Sequence, residues 1–405
     1  MPIETRKKLI RITTVPESID KILEGQLSYM NNYYEVIAIS SGKDYLKQCA
    51  EREGVRFKNI EMTRKITLFK DLISLIQLIS FLKKEKPLII HSHTPKAGII
   101  AMLASRITNI PIRLHTVSGL PLMEEKGTKK KLLEWIEKLT YSFSTQVFTN
   151  SNGLFKYIID NNYISNNKLK VIGNGSTNGI DINYFSPIKV SDNQKKDLKS
   201  SLNILENDFV FIFVGRIVTD KGINELVEAF ESISKQNRKT KLILVGIRES
   251  ELDPLNKNTL NLIKNNINII ETGFQNDIRP FLSISNVLVL PTYREGFPNV
   301  IMQAGAMELP VVATNINGCN EIIINGKNGI LIPSKDKMAL EDALQQLIDD
   351  KIFYESIKLN TRSMIVSRFE RKVICEKLLN EYKTMEKDYK YETKSTFNAW
   401  RRWTL

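Results

Sequence analysis

The sequence is short of everything that organises a secreted, metal-held or membrane-spanning protein. Three cysteines, Cys49, Cys319 and Cys375, stand far apart in 405 residues, in no redox or metal-ligand spacing. They imply neither a disulfide framework nor a zinc site, and they fit a reducing compartment. No Asp-x-Asp occurs anywhere in the chain and there are only three histidines, so no metal is expected at the site. The longest apolar stretch, Thr67 to Leu82, is broken by Lys70, Asp71 and Gln77; it is too short and interrupted to span a bilayer and reads as a buried helix. The opening MPIETRKKLIRITTV lacks the apolar core and cleavage site of a signal peptide, so a cytoplasmic location is expected. The 13 prolines and 19 glycines are dispersed, leaving neither a low-complexity linker nor a repeat.

What is present is globular matter, 42% hydrophobic and 25% charged, in a length that suits two or three domains. The formal charge of +13 is unevenly spread: residues 1–185 hold 27 Lys+Arg against 17 Asp+Glu, and the remaining 220 hold 31 against 28. A basic first half can meet nucleic acid, an anionic membrane surface, or only solvent. With no zinc finger, recognition helix or basic–aromatic stacking motif, nucleic acid is not expected, and the membrane surface is the functional reading.

Short apolar runs alternate with amphipathic ones. Leu9 to Val15, Tyr34 to Ser40, Leu88 to His91, Ile112 to Val117, Gln146 to Asn150 and Leu169 to Ile172 read as strands, and the pattern restarts with Val210 to Val214. Lys241 to Val245, Ile267 to Glu271, Val287 to Leu290, Val311 to Thr314 and Gly329 to Ile332 complete the second set. Strands separated by helices imply parallel sheets covered on both faces. We therefore expect an α/β chain of two Rossmann-like domains, 1–185 and 186–370, followed by a helix and tail, 371–405, that crosses back to the first. The last residues, NAWRRWTL, are expected to fray.

Ligands of open parallel sheets bind beyond the carboxyl ends of the strands, so chemistry should collect just past each apolar run. In FVFIFVGRIVTDKG a strand ends at Gly215 and Arg216, and Asp220, Lys221 and Gly222 open a helix, an arrangement suited to a diphosphate. In LPTYREGFPNVIMQAGAMELPVVAT, Glu295 stands in the loop and Gly296, Phe297, Pro298 and Asn299 lead into a helix. Backbone amides there can take phosphate or sugar oxygens while the carboxylate accepts sugar hydroxyls. The histidines His91, His93 and His115 all fall at strand ends of the first half, where hydrogen bonding to substrate is expected. The glycine run VIGNGSTNGID, Gly173 to Asp181, opens no helix and reads as a tight turn at the domain junction.

Taken together, Gly215, Arg216, Asp220, Lys221 and Gly222, the segment REGFPNVIMQA from Arg294 to Ala304, and the loop Gly318 to Glu321 resemble the retaining glycosyltransferases of family 4, with the GT-B fold, many of which build bacterial capsule and lipopolysaccharide. The resemblance covers nearly the whole chain. It implies two Rossmann-like domains with parallel sheets facing across a cleft, and a nucleotide-sugar donor, with UDP-sugars favoured. On matching positions it implies that Arg216 and Lys221 hold the diphosphate, and that Glu295 faces the donor sugar together with the amides of Gly296 to Asn299. It further implies donor contacts for Gly215, Phe274 and Val300, a catalytic contact for His115, and an acceptor side at Gly25, Gln26 and His93. One departure is plain: the family's second glutamate, seven residues past the first, is Gln303 here. Glutamine accepts one hydrogen bond and donates another, so ribose binding should persist in altered form. No cofactor or metal is implied, and the expected acceptor is a lipid-linked saccharide, with Lys129 to Lys131 docking on an anionic membrane. A 2-epimerase acting on the free nucleotide sugar and a non-catalytic sugar-nucleotide sensor are the rival readings.

Overall fold

A computed structural model describes residues 6–403, apart from 124 and 250–252. The lead-in of residues 1–5 and the last two residues of the tail lie outside the described residues, as do the side chains of 121 and 392–403. The chain divides into two α/β units, one running to Asn178 and resumed at Arg371, the other Gly179–Glu370.

The first unit is a seven-stranded parallel sheet in the order β3-β2-β1-β4-β5-β6-β7. Its strands are β1 (Lys8–Ile12), β2 (Glu35–Ser40), β3 (Arg56–Asn59), β4 (Ile89–Ser92), β5 (Ile112–Val117), β6 (Gln146–Thr149) and β7 (Leu169–Val171). Between them run α1 (Pro16–Ile22), α2 (Gln26–Asn31), α3 (Lys43–Glu53), α4 (Leu68–Glu85), α5 (Pro95–Ile107), α6 (Gly127–Phe143) and α7 (Asn152–Asp160). Strand parity sorts the core into layers. Leu9, Val36, Ala38, Ile89 and Leu114 pack with α1 to α3 on one face, whereas Ile10, Ile12, Ile37, Ile39 and Ile90 meet α4 and α5 on the other. Further along that second face, Val117 and Val147 pack with Tyr141 of α6 and with α7.

The second unit carries β8 (Phe209–Val214), β9 (Thr240–Val245), β10 (Ile269–Gly273), β11 (Val287–Leu290), β12 (Val311–Thr314) and β13 (Gly329–Ile332), parallel throughout and ordered β10-β9-β8-β11-β12-β13. Its helices are α8 (Asp192–Ser201), α9 (Ile223–Gln236), α10 (Lys257–Asn265), α11 (Arg279–Ser283), α12 (Asn299–Ala306), α13 (Cys319–Ile322), α14 (Lys337–Asp349) and α15 (Lys351–Phe369). The inner strands β8, β9, β11 and β12 are buried on both faces, as their apolar runs require, whereas edge strand β10 exposes Glu271 and Gly273. The last helix, α16 (Arg371–Trp403), belongs to the first unit, where Leu378, Leu379 and Tyr382 join the layer of α1 to α3.

The structure adds one strand and corrects two expectations. Strand β3 was not read from the sequence: it is an edge strand whose Arg56 and Lys58 are exposed, so it lacks an apolar run. The segment expected as a buried helix is α4, and only one of its faces is buried; Leu68, Phe69, Leu72, Ile73 and Ile76 are exposed. The backbone of the tail, expected to fray, is helical through Trp403.

Candidate active site

In the second unit the strand order reverses between β8 and β11, and the loops leaving those two strands flank the crevice at which such sheets bind ligands. Both loops are polar. Beyond β8, Arg216 donates to Glu249 at 2.9 Å and lies 3.8 Å from Asp220. Hydrogen bonding to Glu249 holds the Arg216 guanidinium above its ordinary pKa. The Lys221 ammonium donates to Glu295 in the loop after β11 at 2.6 Å, and both side chains are largely shielded from solvent. Arg294 closes the set by donating to Asp220 at 2.9 Å. Three cations thus face three carboxylates, so the site is close to neutral until an anion enters.

Glycine holds these loops together where nothing larger fits. Gly222 has φ +71° and opens α9; a Cβ there would lie 2.0 Å from the Pro291 carbonyl oxygen. At Gly318, φ is +79° and a Cβ would lie 2.4 Å from the Gly296 oxygen. Asn317 beside it donates to the carbonyls of Glu295 and Gly296, at 3.3 and 3.1 Å. The Glu295 loop is therefore pinned from below, and it delivers the chain into α12 behind Pro298 with no side-chain cap. The first-turn amides of such a helix have no intrahelical acceptor and point at whatever anion stands there.

The other donor-side expectations scatter. Phe297 packs edge-on against Phe369, ring centroids 5.5 Å apart, and Val300 lies against the core. Gln303 is half-buried on α12. Phe274, just past β10, is mostly exposed. Sequence reasoning missed Glu249, Arg294's tie to Asp220, and the Asn317 anchor. Only the position of each past a strand end marked it beforehand.

The three histidines do not form one cluster. His91 and His93 share the face covered by α16, with rings 4.2 Å apart. His91 bonds Tyr382 Oη at 2.6 Å and Thr116 Oγ1 at 2.7 Å. His93 Nε2 accepts from Arg11 Nε at 3.1 Å, and Arg11 also donates to Gln26 Oε1. An arginine only donates, so the ring proton of His93 sits on Nδ1. Gln26 in turn donates to the Thr177 carbonyl at 3.0 Å. Two of the expected acceptor-side residues are thus joined by a fully buried arginine that the sequence reading passed over. The third, Gly25, has φ +70° and caps α2, its amide donating to Glu53 at 2.7 Å. A cavity of about 10 Å³, room for one water, lies among Gln26, His93, Thr149 and Thr177.

His115 sits on the opposite face of the sheet. It is 2% exposed, its Nδ1 bonds Ser92 Oγ at 2.8 Å, and its ring lies against Gly98 and Tyr141. A Cβ on Gly98 would come within 2.6 Å of that ring. The side chain of His115 takes part in the packing of α5 and α6. Burial pushes its pKa down to about 4. Burial also pushes the Glu137 carboxyl on α6 up to about 7, partly offset by the nearby Tyr141 hydroxyl. Among the described residues no group of His, Cys, Asp and Glu is arranged to hold a metal ion.

A glycine-lined switch point with paired cations and an open helix start is the place where an open α/β sheet takes its ligand. The chain belongs to the family described as Glycosyl transferases group 1, which residues 194–364 match, while residues 29–175 match the Glycosyl transferase 4-like domain. It is a glycosyltransferase. It is 36% identical over 384 residues to the capsular polysaccharide biosynthesis glycosyltransferase CapM of Staphylococcus aureus, covering 94% of this chain and 98% of that protein. It is 34% identical to an Escherichia coli UDP-Gal:alpha-D-GlcNAc-diphosphoundecaprenol alpha-1,3-galactosyltransferase, covering 76% of this chain and 78% of that one. Among solved structures, a glycosyltransferase of Rickettsia africae superposes with a TM-score of 0.78 at 21% identity, over 94% of this chain and 99% of that chain. Anabaena HepE, solved with UDP and glucose, matches with the same TM-score at 19% identity, over 93% of this chain and all of that one. These likenesses show the fold, two Rossmann-like domains of the GT-B type.

Proposed function

We propose that this glycosyltransferase takes a sugar from a nucleotide-diphosphate donor, a UDP-sugar, and transfers it to a hydroxyl of a lipid-linked saccharide in the synthesis of a bacterial surface polysaccharide. The anomeric configuration is retained. The observation that carries the donor half is the Lys221–Glu295 pair at 2.6 Å, beside Arg216 and the start of α12. The acceptor half rests on the names of the relatives, one acting in capsular polysaccharide synthesis and one on a sugar linked to diphosphoundecaprenol. On this reading the enzyme works in the cytoplasm, at the inner face of the plasma membrane.

When the bond between the anomeric carbon and the phosphate oxygen breaks, its electron pair stays on the diphosphate. Lys221 and Arg216 stand where that charge grows, and the amides at the start of α12 add partial positive charge. These side chains carry the charge stabilisation, and the proposed chemistry needs no cofactor. Glu295, held by Lys221 and by its pinned loop, accepts a hydroxyl of the donor sugar. The acceptor hydroxyl attacks from the face that the phosphate leaves, and the leaving phosphate takes its proton. Gln303 holds the ribose, and Gly25, Gln26 and His93 border the acceptor.

Calorimetric titration with UDP-, GDP- and ADP-sugars tests the donor assignment, with Arg216→Ala and Lys221→Ala alongside. Binding of the UDP-sugar alone, abolished by both substitutions, is expected; binding that ignores them would overturn it. Proton NMR of the product on a lipid-linked acceptor then reads the anomeric configuration.

A further inference from the structure

Arg11, the second-last residue of β1, is fully buried. Its Nε and Nη2 lie 3.1 and 2.9 Å from His93 Nε2, and Nη2 also donates to Gln26 Oε1. Its Nη1 is buried with no partner. Burial lowers the pKa of the guanidinium, and the groups that offset this are the Tyr382 hydroxyl and the Cys375 thiol, both kept protonated by their own burial. Among the described residues no carboxylate pairs with Arg11. A buried cation without a counter-charge weakens a fold, and uncharged side chains of similar volume are often as stable in such a place or more so. Packing alone therefore gives no reason for an arginine inside LIRI.

What the arginine supplies is orientation. A guanidinium donates and never accepts, so each partner must turn its acceptor atom inward. Gln26 gives Oε1, which leaves its Nε2 to donate to the Thr177 carbonyl at 3.0 Å and to Asn178 Oδ1 at 3.3 Å. Gln26 thereby holds the turn that follows β7. His93 gives Nε2, which puts its proton on Nδ1; that atom is buried with no partner, and the ring lines the small cavity shared with Thr149 and Thr177. His91, its ring 4.2 Å away and bonded to Thr116 and Tyr382, keeps the His93 ring from swinging aside. One cation beneath the carboxyl edge of the sheet thus sets the start of α2, the end of β4 and the turn after β7 together.

We propose that Arg11 is a positioning residue of the acceptor side: by occupying the acceptor atoms of Gln26 and His93, it fixes His93 as an Nδ1–H donor and locks the turn after β7 before the saccharide arrives. Arg11 acts through these two side chains and touches no substrate. An acceptor side preformed in this way spends none of its binding energy on ordering the side chains that meet the saccharide. The proposal rests on the reading that Gln26 and His93 border the acceptor.

Arg11→Met removes the charge and the fork of donors at similar volume, and Arg11→Lys keeps the charge but offers a compact ammonium in place of the fork. In both variants the acceptor KM, measured on N-acetylglucosaminyl diphosphate carrying a short prenyl chain, should rise about tenfold, the effect of losing one well-placed buried hydrogen bond. Calorimetric binding of UDP should stay at the wild-type value. Arg11→Met should unfold in urea at the wild-type midpoint or above it. With three histidines in the chain, nitrogen-15 imidazole spectra resolve each ring: His93 should carry its proton on Nδ1 in the wild type and lose that preference in Arg11→Met. Gln26→Ala and His93→Ala test the reading beneath. If these two raise the acceptor KM and the arginine variants leave it unchanged, the proposal falls and the acceptor reading stands; if none of the four alters it, both fall. A loss of stability in Arg11→Met with an unchanged acceptor KM in Arg11→Lys marks a structural residue and overturns the proposal. So does a His93 proton on Nε2 in the wild type, or a loss of UDP binding in step with the acceptor effect.

Discussion

Replacing Lys221 with alanine should separate the two tasks that the ion pair performs. In the donor-free site Lys221 neutralises Glu295 at 2.6 Å, and the two side chains are 15% and 18% exposed. Removing the ammonium takes one preorganised cation from the growing diphosphate charge, a loss of about 10² to 10³ in kcat, or roughly 3 kcal/mol. It also leaves the Glu295 carboxylate uncompensated beside an incoming dianion. Two like charges some 4 Å apart repel by up to about 4 kcal/mol at an effective dielectric of 20, so the donor KM should rise as well. Lys221→Ala with Glu295→Gln removes that repulsion: donor binding should recover about tenfold over the single variant, while kcat stays low because the cation is still missing. Steady-state kinetics with a radiolabelled donor give both constants, and urea unfolding should show a loss of roughly 1–3 kcal/mol in the single variant, whose shielded carboxylate is left without its partner. A single variant with kcat within threefold of wild type, or a double variant that binds donor more weakly than the single, would refute the reasoning.

Gly222→Ala forces a Cβ to within 2.0 Å of the Pro291 carbonyl oxygen at φ +71°, and should cost about 2–4 kcal/mol in urea denaturation. Gln303→Glu exchanges a neutral for a charged acceptor toward the ribose, so UDP should bind about fivefold tighter by calorimetry; unchanged affinity would remove Gln303 from the donor site. Glu137 titrates near 7 in the folded chain against an ordinary 4.5. Its protonated form is the one the fold prefers, so its contribution is intact below about pH 4.5 and is lost as pH rises to about 7. The loss is about 3 kcal/mol. Glu137→Gln should therefore stabilise the protein progressively across that window in urea titrations at successive pH values. His115, depressed to about 4 from 6.5, runs the opposite way, losing stability as pH falls from about 6.5 to about 4, and is present in both proteins, so the difference isolates Glu137.

Both sheets were legible because a strand buried on two faces needs an unbroken run of Val, Ile, Leu or Phe, and FVFIFV and VLVL are such runs. The donor loops were legible because polar residues directly past those runs can only lie at the carboxyl edge of the sheet. The same double burial hid the parity of the histidines. In a half-solvated strand alternation would say which face a residue takes. In β4 and β5 both faces are apolar, so His91, His93 and His115 looked alike, although they fall on opposite sides: His115 toward Gly98 and Tyr141, the others toward α16. Helix α4 was misread for a related reason, since an apolar helix face carries no record of whether protein or something else covers it. The placement of Arg11 follows from its chemistry: a charge inside LIRI has no solvent to turn to, so it needs buried acceptors. His93 Nε2 and Gln26 Oε1 supply them. A polar residue inside a doubly buried strand therefore predicts partners just beyond it, here His93 at the end of β4 and Gln26 at the start of α2, and both are residues proposed to border the acceptor.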